Sequence, residues 1–152
     1  MSTAHPDLPA AMIGWLRASP SVVTAFAENT NALATTKFWA DAARPGVALP
    51  WAVYEERDGE VQSMTAARGM TCSIETGIVR FTIVAPAKKL ARDLGRLVVK
   101  ALDDAPLLFA DGRLMYLRAQ SASFQPVADI APASPTAHAR VIDFRFMVQR
   151  TA

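Results

Sequence analysis

Apolar residues recur at three- and four-residue spacing in two stretches of the chain and alternate with polar ones in others. That contrast sets the predicted elements. Leu8, Met12, Trp15 and Leu16 form one helical stripe. Pro6-Asp7 and Pro9 suit its entrance, because a first-turn proline gives up an N–H that has no helical partner anyway. Ser19-Pro20 ends it, and residues 21–26 predict a second short turn of helix or a tight crossover. The longest helix is expected over 86–103. Leu90, Leu94, Leu97, Val98, Ala101 and Leu102 would be its buried stripe, with Lys88, Arg92, Arg96 and Lys100 as a second row at four-residue spacing. Asp103-Asp104-Ala105-Pro106 stops it. Two acids there oppose the helix dipole, so a nearby cation is expected to offset them.

Strict alternation marks the strands. In 74–84, Val79, Phe81 and Ile83 point one way while Ile78, Arg80 and Thr82 point the other; Gly77 suggests a bulge or bend. In 141–150, Ile142, Phe144, Phe146 and Val148 face inward, as in a half-buried antiparallel strand. Trp51 and Val53 share one face of a strand after Pro50, with Ala52 and Tyr54 on the other. Asp58-Gly59 predicts a hairpin turn, with a return strand over 60–64. Residues 37–39 read as a short strand. Asp111-Gly112 predicts a second hairpin between 107–109 and 113–120. Residues 121–137 hold Pro126, Pro132 and Pro135 among Ala and Ser, and are expected to form a long, mobile loop, since proline supplies no ladder donor. The expected fold is a single α+β domain over 1–152, with a mostly antiparallel or mixed sheet and two helices on one face.

Composition narrows the function without naming it. The 152 residues are 51% hydrophobic and 20% charged, enough for one core, and the formal net charge is only +2. No apolar run approaches the roughly 18–20 residues of a membrane span, and no secretory leader is expected. The single cysteine, Cys72, builds no disulfide framework. It has no visible paired base, so it reads as a small packing residue. His5 and His138 lack the spaced His, Cys and carboxylate partners of a metal site. Glu55-Glu56 alternate across a strand and are poorly placed to share a proton. No phosphate loop or nucleophile elbow can be written. No enzyme activity, metal or cofactor is expected.

The excess positive charge sits on helix 86–103, where Lys88, Lys89, Arg92, Arg96 and Lys100 outnumber Asp93 and Asp103 by three. One reading is an electrostatic surface for nucleic acid or an acidic partner. The other, preferred over direct nucleic-acid contact, is a solvated amphipathic face, since no aromatics interleave with the row. An inter-subunit contact stays open. Trp15, Trp39 and Trp51 are expected in the core, though Phe38-Trp39 lies in an irregular segment that could form a partner surface.

The helix ending at Ser19-Pro20 is followed by the strand Leu49-Pro50-Trp51-Ala52-Val53-Tyr54. Next, Ile78-Val79-Arg80-Phe81-Thr82-Ile83-Val84-Ala85 passes directly into Lys88-Lys89-Leu90-Ala91-Arg92-Asp93-Leu94. That helix ends at residues 101–107, and Val141-Ile142-Asp143-Phe144-Arg145-Phe146 closes the chain. This layout, over roughly 8–150, resembles the small tail-completion (tail-terminator) proteins of long-tailed bacteriophages and phage-derived particles. The resemblance implies an α+β subunit without enzyme activity or cofactor, assembled into a homo-oligomeric ring, commonly a hexamer. Such a ring would cap the tail tube, meet the head connector protein and let DNA pass without sequence-specific binding. It would belong to the virion tail, assembled in the bacterial host cytoplasm. A ring needs head-to-tail interfaces. The candidates are Lys88, Lys89, Arg92, Arg96 and Lys100 on the basic helix, Phe38 and Trp39, and Phe124 and Pro126 in the loop. The competing readings are a nucleic-acid-binding module using helix 86–103 and, less favoured, a small enzyme.

Overall fold

A computed structural model describes residues 7–26, 38–40, 50–65, 71–110, 112–126 and 136–151, with backbone alone at 38–40, 58–65, 71–72 and 151. Eight elements follow in chain order: α1 (Leu8–Arg17), α2 (Pro20–Phe26), β1 (Phe38–Ala40), β2 (Trp51–Thr65), β3 (Thr71–Ala85), α3 (Lys88–Leu102), β4 (Arg113–Gln125) and β5 (His138–Thr151). The strands form one sheet in the order β1-β2-β3-β5-β4. β1 runs parallel to β2 and every other pairing is antiparallel. This is the expected α+β fold with a mixed sheet. Residues 20–26 resolve as a short third helix.

The helices cover one sheet face. Val79, Phe81 and Ile83 of β3 and Ile142, Phe144, Phe146 and Val148 of β5 are buried there, as their alternation predicts. Phe81 sits at the centre, edge-on to Phe144 at 5.7 Å and beside Tyr54 at 6.0 Å. Leu8, Met12 and Leu16 of α1 and Val22 and Phe26 of α2 join this core. Asp7 caps α1 by accepting from the Ala10 N–H at 2.9 Å. Trp51 is buried, but Trp15 is not a core residue. It stays 39% exposed, and its indole N–H donates to the Ala101 carbonyl at 2.8 Å, tying α1 to the end of α3.

The seat of α3 is rotated from the predicted stripe. Ala91, Leu94, Gly95, Val98 and Leu102 are buried, whereas Leu90 is 37% exposed. Small residues cause the shift. A Cβ on Gly95 would lie 3.1 Å from Ile142 Cδ1 and 3.3 Å from Arg140 Cγ, so the helix backbone rests almost directly on β5. The contact line therefore runs through Ala91 and Gly95, with the larger Leu90 and Leu97 to its sides.

Two local expectations, the turn at Asp58-Gly59 and a loop beginning at residue 121, fail for the same reason, that pairing overrides turn chemistry. Asp58-Gly59 does not turn the chain. β2 continues through it, and the register slips by one residue between Arg57 and Glu60, a bulge within one long strand whose partner is β3. Gly77 stands opposite this bulge, between Thr76↔Glu60 and Ile78↔Arg57, as expected of it, while β3 keeps register with β5 on its other side. Its missing side chain also admits the Phe146 ring, whose Cζ would lie 2.6 Å from an added Cβ. Residues 121–125 are not loop but the end of β4, paired to β5 up to Gln125↔Ala139. Pro126 stops the strand, and most of the expected loop lies outside the described residues. Of the second predicted hairpin only an isolated Phe109↔Gly112 bridge is present, with Asp111 outside the described residues; β4 takes its strand partner from β5.

Gly77→Ala is expected to destabilise the protein by about 1–3 kcal/mol, because the ring it displaces is packed in the core. Urea unfolding monitored by circular dichroism checks this; an unchanged midpoint would mean the ring moves aside freely.

Candidate functional site

The candidate residues Lys88, Arg92 and Phe124 come together. Phe124, near the end of edge strand β4, points to the helix-covered face opposite Arg140 of β5. The start of α3 lies beside it because Ala91 and Gly95 seat the helix so closely. Lys88 Nζ lies 4.7 Å from the ring centroid, Arg140 Cζ 4.6 Å and Arg92 Cζ 5.9 Å. Each distance is within cation–π range, worth about 0.5–1 kcal/mol at exposed sites. Three like charges around one ring nonetheless repel one another. No carboxylate among the described residues forms an ion pair with any of them. The first turn of α3 carries no acid and its N-cap, Ala87, supplies no side-chain bond, so the helix dipole adds to the positive field.

The remaining candidates do not join this cluster. Lys89, Arg96 and Lys100 continue along the exposed side of α3, and Arg96 makes only a loose 4.0 Å pair with Asp93. Pro126 is exposed just beyond β4. Phe38 and Trp39 form β1 through their backbones, and their side chains lie outside the described residues, as does His5. Sequence reasoning missed Arg140. Its signal was a cation two residues before Ile142, and so on the inward face of a strand. Leu108 and Met115, 80% and 50% exposed beside a shallow groove lined by Pro106, Leu107 and Leu114, were also missed.

The opposite sheet face carries a row of polar side chains running across four strands. Glu55, Arg80, Asp143 and Ser121 are register neighbours on β2, β3, β5 and β4. Arg80 donates to both oxygens of Asp143, Nε to Oδ1 at 2.7 Å and Nη2 to Oδ2 at 3.0 Å. This forked bond holds the Asp143 carboxyl below the ordinary carboxylate range and raises the Arg80 guanidinium. The two acids after α3 serve the other edge. Asp104 takes a left-handed backbone, φ 55°, and its N–H donates to the Leu117 carbonyl at 2.9 Å. Asp103 accepts from the Ala119 N–H at 2.9 Å, and Arg118 supplies the expected offsetting cation, 3.0 Å from Asp104.

Among the described residues no three His, Cys, Asp or Glu side chains stand together as metal ligands. No described helix is long and apolar enough to cross a membrane. Comparison with known proteins then decides the family. The profile described as tail completion protein gp17 matches residues 10–149, nearly the whole chain. The chain belongs to the tail completion protein gp17 family. The family is a structural component of phage-like tails, which gives this member a structural role in a phage-like particle. A solved structure, the virion of a native gene transfer agent particle, contains a chain of the same fold. It is 19% identical, with 95% of each chain covered and a TM-score of 0.60. No curated protein is significantly similar.

In this tail completion protein the Arg80–Asp143 bond ties β3 to β5 on the face away from the helices. The carboxylate of Asp143 has a lowered folded-state pKa, so its stabilisation is complete above the ordinary carboxylate value. It is lost as pH falls through the folded value. Asp143→Asn is therefore expected to cost about 1–3 kcal/mol at pH 7. The gap between variant and parent should close toward pH 2. Urea unfolding at both pH values checks this, and an equal gap at both would show that the charge is not what matters.

Proposed function

We propose that the protein caps the tail tube as a head–tail joining ring, built from several copies of the chain acting as one α+β unit. The match of the family profile across residues 10–149 carries this reading. The fold shared with a chain of a gene transfer agent virion supports it. So does the layout of the subunit: two different sheet flanks and a long exposed basic helix face. A closed ring needs dissimilar surfaces to meet head to tail, and an open sheet with unlike edges supplies them.

On this reading the ring is a homo-hexamer, seated between the tail tube protein and the head connector protein. It ends tail polymerisation and acts as scaffold rather than enzyme. DNA passes its lumen without sequence-specific contact. Lys89, Arg96 and Lys100 on α3, Phe38 and Trp39 on β1, and Pro126 after β4 serve as interface positions with the Phe124 cluster. The nucleic-acid module is the second reading, motivated by the exposed row on α3. It predicts duplex binding that weakens steeply with salt.

Light scattering on the purified protein, across concentration and at low and high salt, tests the ring. A closed mass of about six subunits is expected, matching a rotationally closed assembly. A monomer at every concentration, together with salt-sensitive duplex binding, would favour the second reading instead.

A further inference from the structure

We infer that Lys88, Arg92 and Arg140 around Phe124 form a docking site for an acidic segment of a protein other than this chain. The site stands whether or not copies close into a ring; on the reading above, its occupant belongs to the tail tube or the head connector. All three charged groups lie within 5.9 Å of one ring centroid. None of them forms an ion pair among the described residues. Elsewhere the chain matches its cations: Arg57, Arg80, Arg118 and Arg150 each hold a carboxylate at 3.1 Å or less. Gathering like charges without a counter-ion is unfavourable, and a bound carboxylate relieves it. The first turn of α3 carries no acid, so the helix itself offers no competing carboxylate there.

The shape of the charge selects a peptide over a nucleic acid. A duplex presents its phosphates along a line, and a surface that binds it spreads its cations to follow. Here the charges close on one point, beside a ring that is half-buried against the core. That ring is an apolar floor for the methylenes of an acidic side chain, while a guanidinium forks onto its carboxylate. The chain's own acids do not supply the anion. Four of those with described side chains are held by the arginines just named, and backbone N–H groups hold Asp7 and Asp103. Glu56 has a partner of its own, and Asp93, loosely paired with Arg96 at 4.0 Å, sits on the same helix as Lys88 and Arg92. Among the described residues a second copy therefore brings no unengaged carboxylate, and a different protein is the occupant.

Fluorescence anisotropy of a fluorescein-labelled decaglutamate peptide, at fixed ionic strength, tests the site. Decaglutamine is the uncharged control and a mixed-sequence DNA duplex the nucleic-acid one. K88E/R92E reverses two of the three cations, both at exposed positions. R96E/K100E makes the same change of net charge on the same helix, beyond the cluster. Circular dichroism confirms folding, and K88Q/R92Q takes the place of the reversal should that variant unfold. The parent is expected to bind decaglutamate and not decaglutamine. K88E/R92E is expected to raise the Kd about tenfold or more, and R96E/K100E by less than about threefold. A parent that does not bind decaglutamate overturns the site. Equal losses in both variants also overturn it, since they report only the diffuse charge of the helix. A duplex that binds more tightly than the peptide, and is lost in K88E/R92E alone, reassigns the cluster to nucleic acid. Light scattering runs alongside, and self-association is expected to be the same in K88E/R92E as in the parent. If the parent assembles and K88E/R92E does not, the occupant is a second copy and the inference falls. A parent that binds decaglutamate but never assembles counts against the ring alone and leaves the site standing.

Discussion

The close approach of α3 to β5 is the constraint on which the rest of the molecule depends. Gly95 lets the helix backbone settle on Ile142 and Arg140, where even a Cβ would be tighter than an ordinary contact. That depth fixes both ends of the helix. At its start, Lys88 and Arg92 are held over Phe124. At its end, Asp103 and Asp104 reach the backbone of β4, and the Ala101 carbonyl meets the Trp15 indole. A larger residue in the seam would lift the helix and loosen the contacts made at both of its ends.

What was legible in the sequence is what short-range periodicity encodes. The faces of β3 and β5 followed from alternation, and α3 followed from its apolar spacing and its terminal acids. Even the need for a cation beside Asp104 could be argued from the helix dipole. What escaped depended on partners far along the chain. Asp58-Gly59 has turn chemistry, but β3 offers hydrogen bonds on both sides of it, so a bulge accommodates the pair. Residues 121–125 look like the start of a proline-rich loop, yet no proline occurs before 126 and β5 is there to pair with. The seam through Ala91 and Gly95 lies one step round the helix from the leucines, and only contact with β5 reveals that small residues face the sheet.

The same limit applies to the candidate surface. Lys88 and Arg92 were visible as part of a basic row, and Phe124 as an aromatic in an odd segment. Their meeting requires the register of β4 on β5 and the depth of α3, neither of which is local. Arg140 completes the group from a fourth place in the chain. The polar row of Glu55, Arg80, Asp143 and Ser121 is likewise a product of register, since its members come from four strands. Family membership, by contrast, rests on the whole length of the chain.

The acids after α3 also bear on how the protein survives before it has anything to assemble with. An edge strand with free amides and carbonyls invites any passing strand to pair with it. Here the Leu117 carbonyl and the Ala119 amide are already engaged by the chain's own Asp104 and Asp103. An intruding strand must displace both bonds. Over that short stretch the subunit carries its own protection against a second strand adding to its edge.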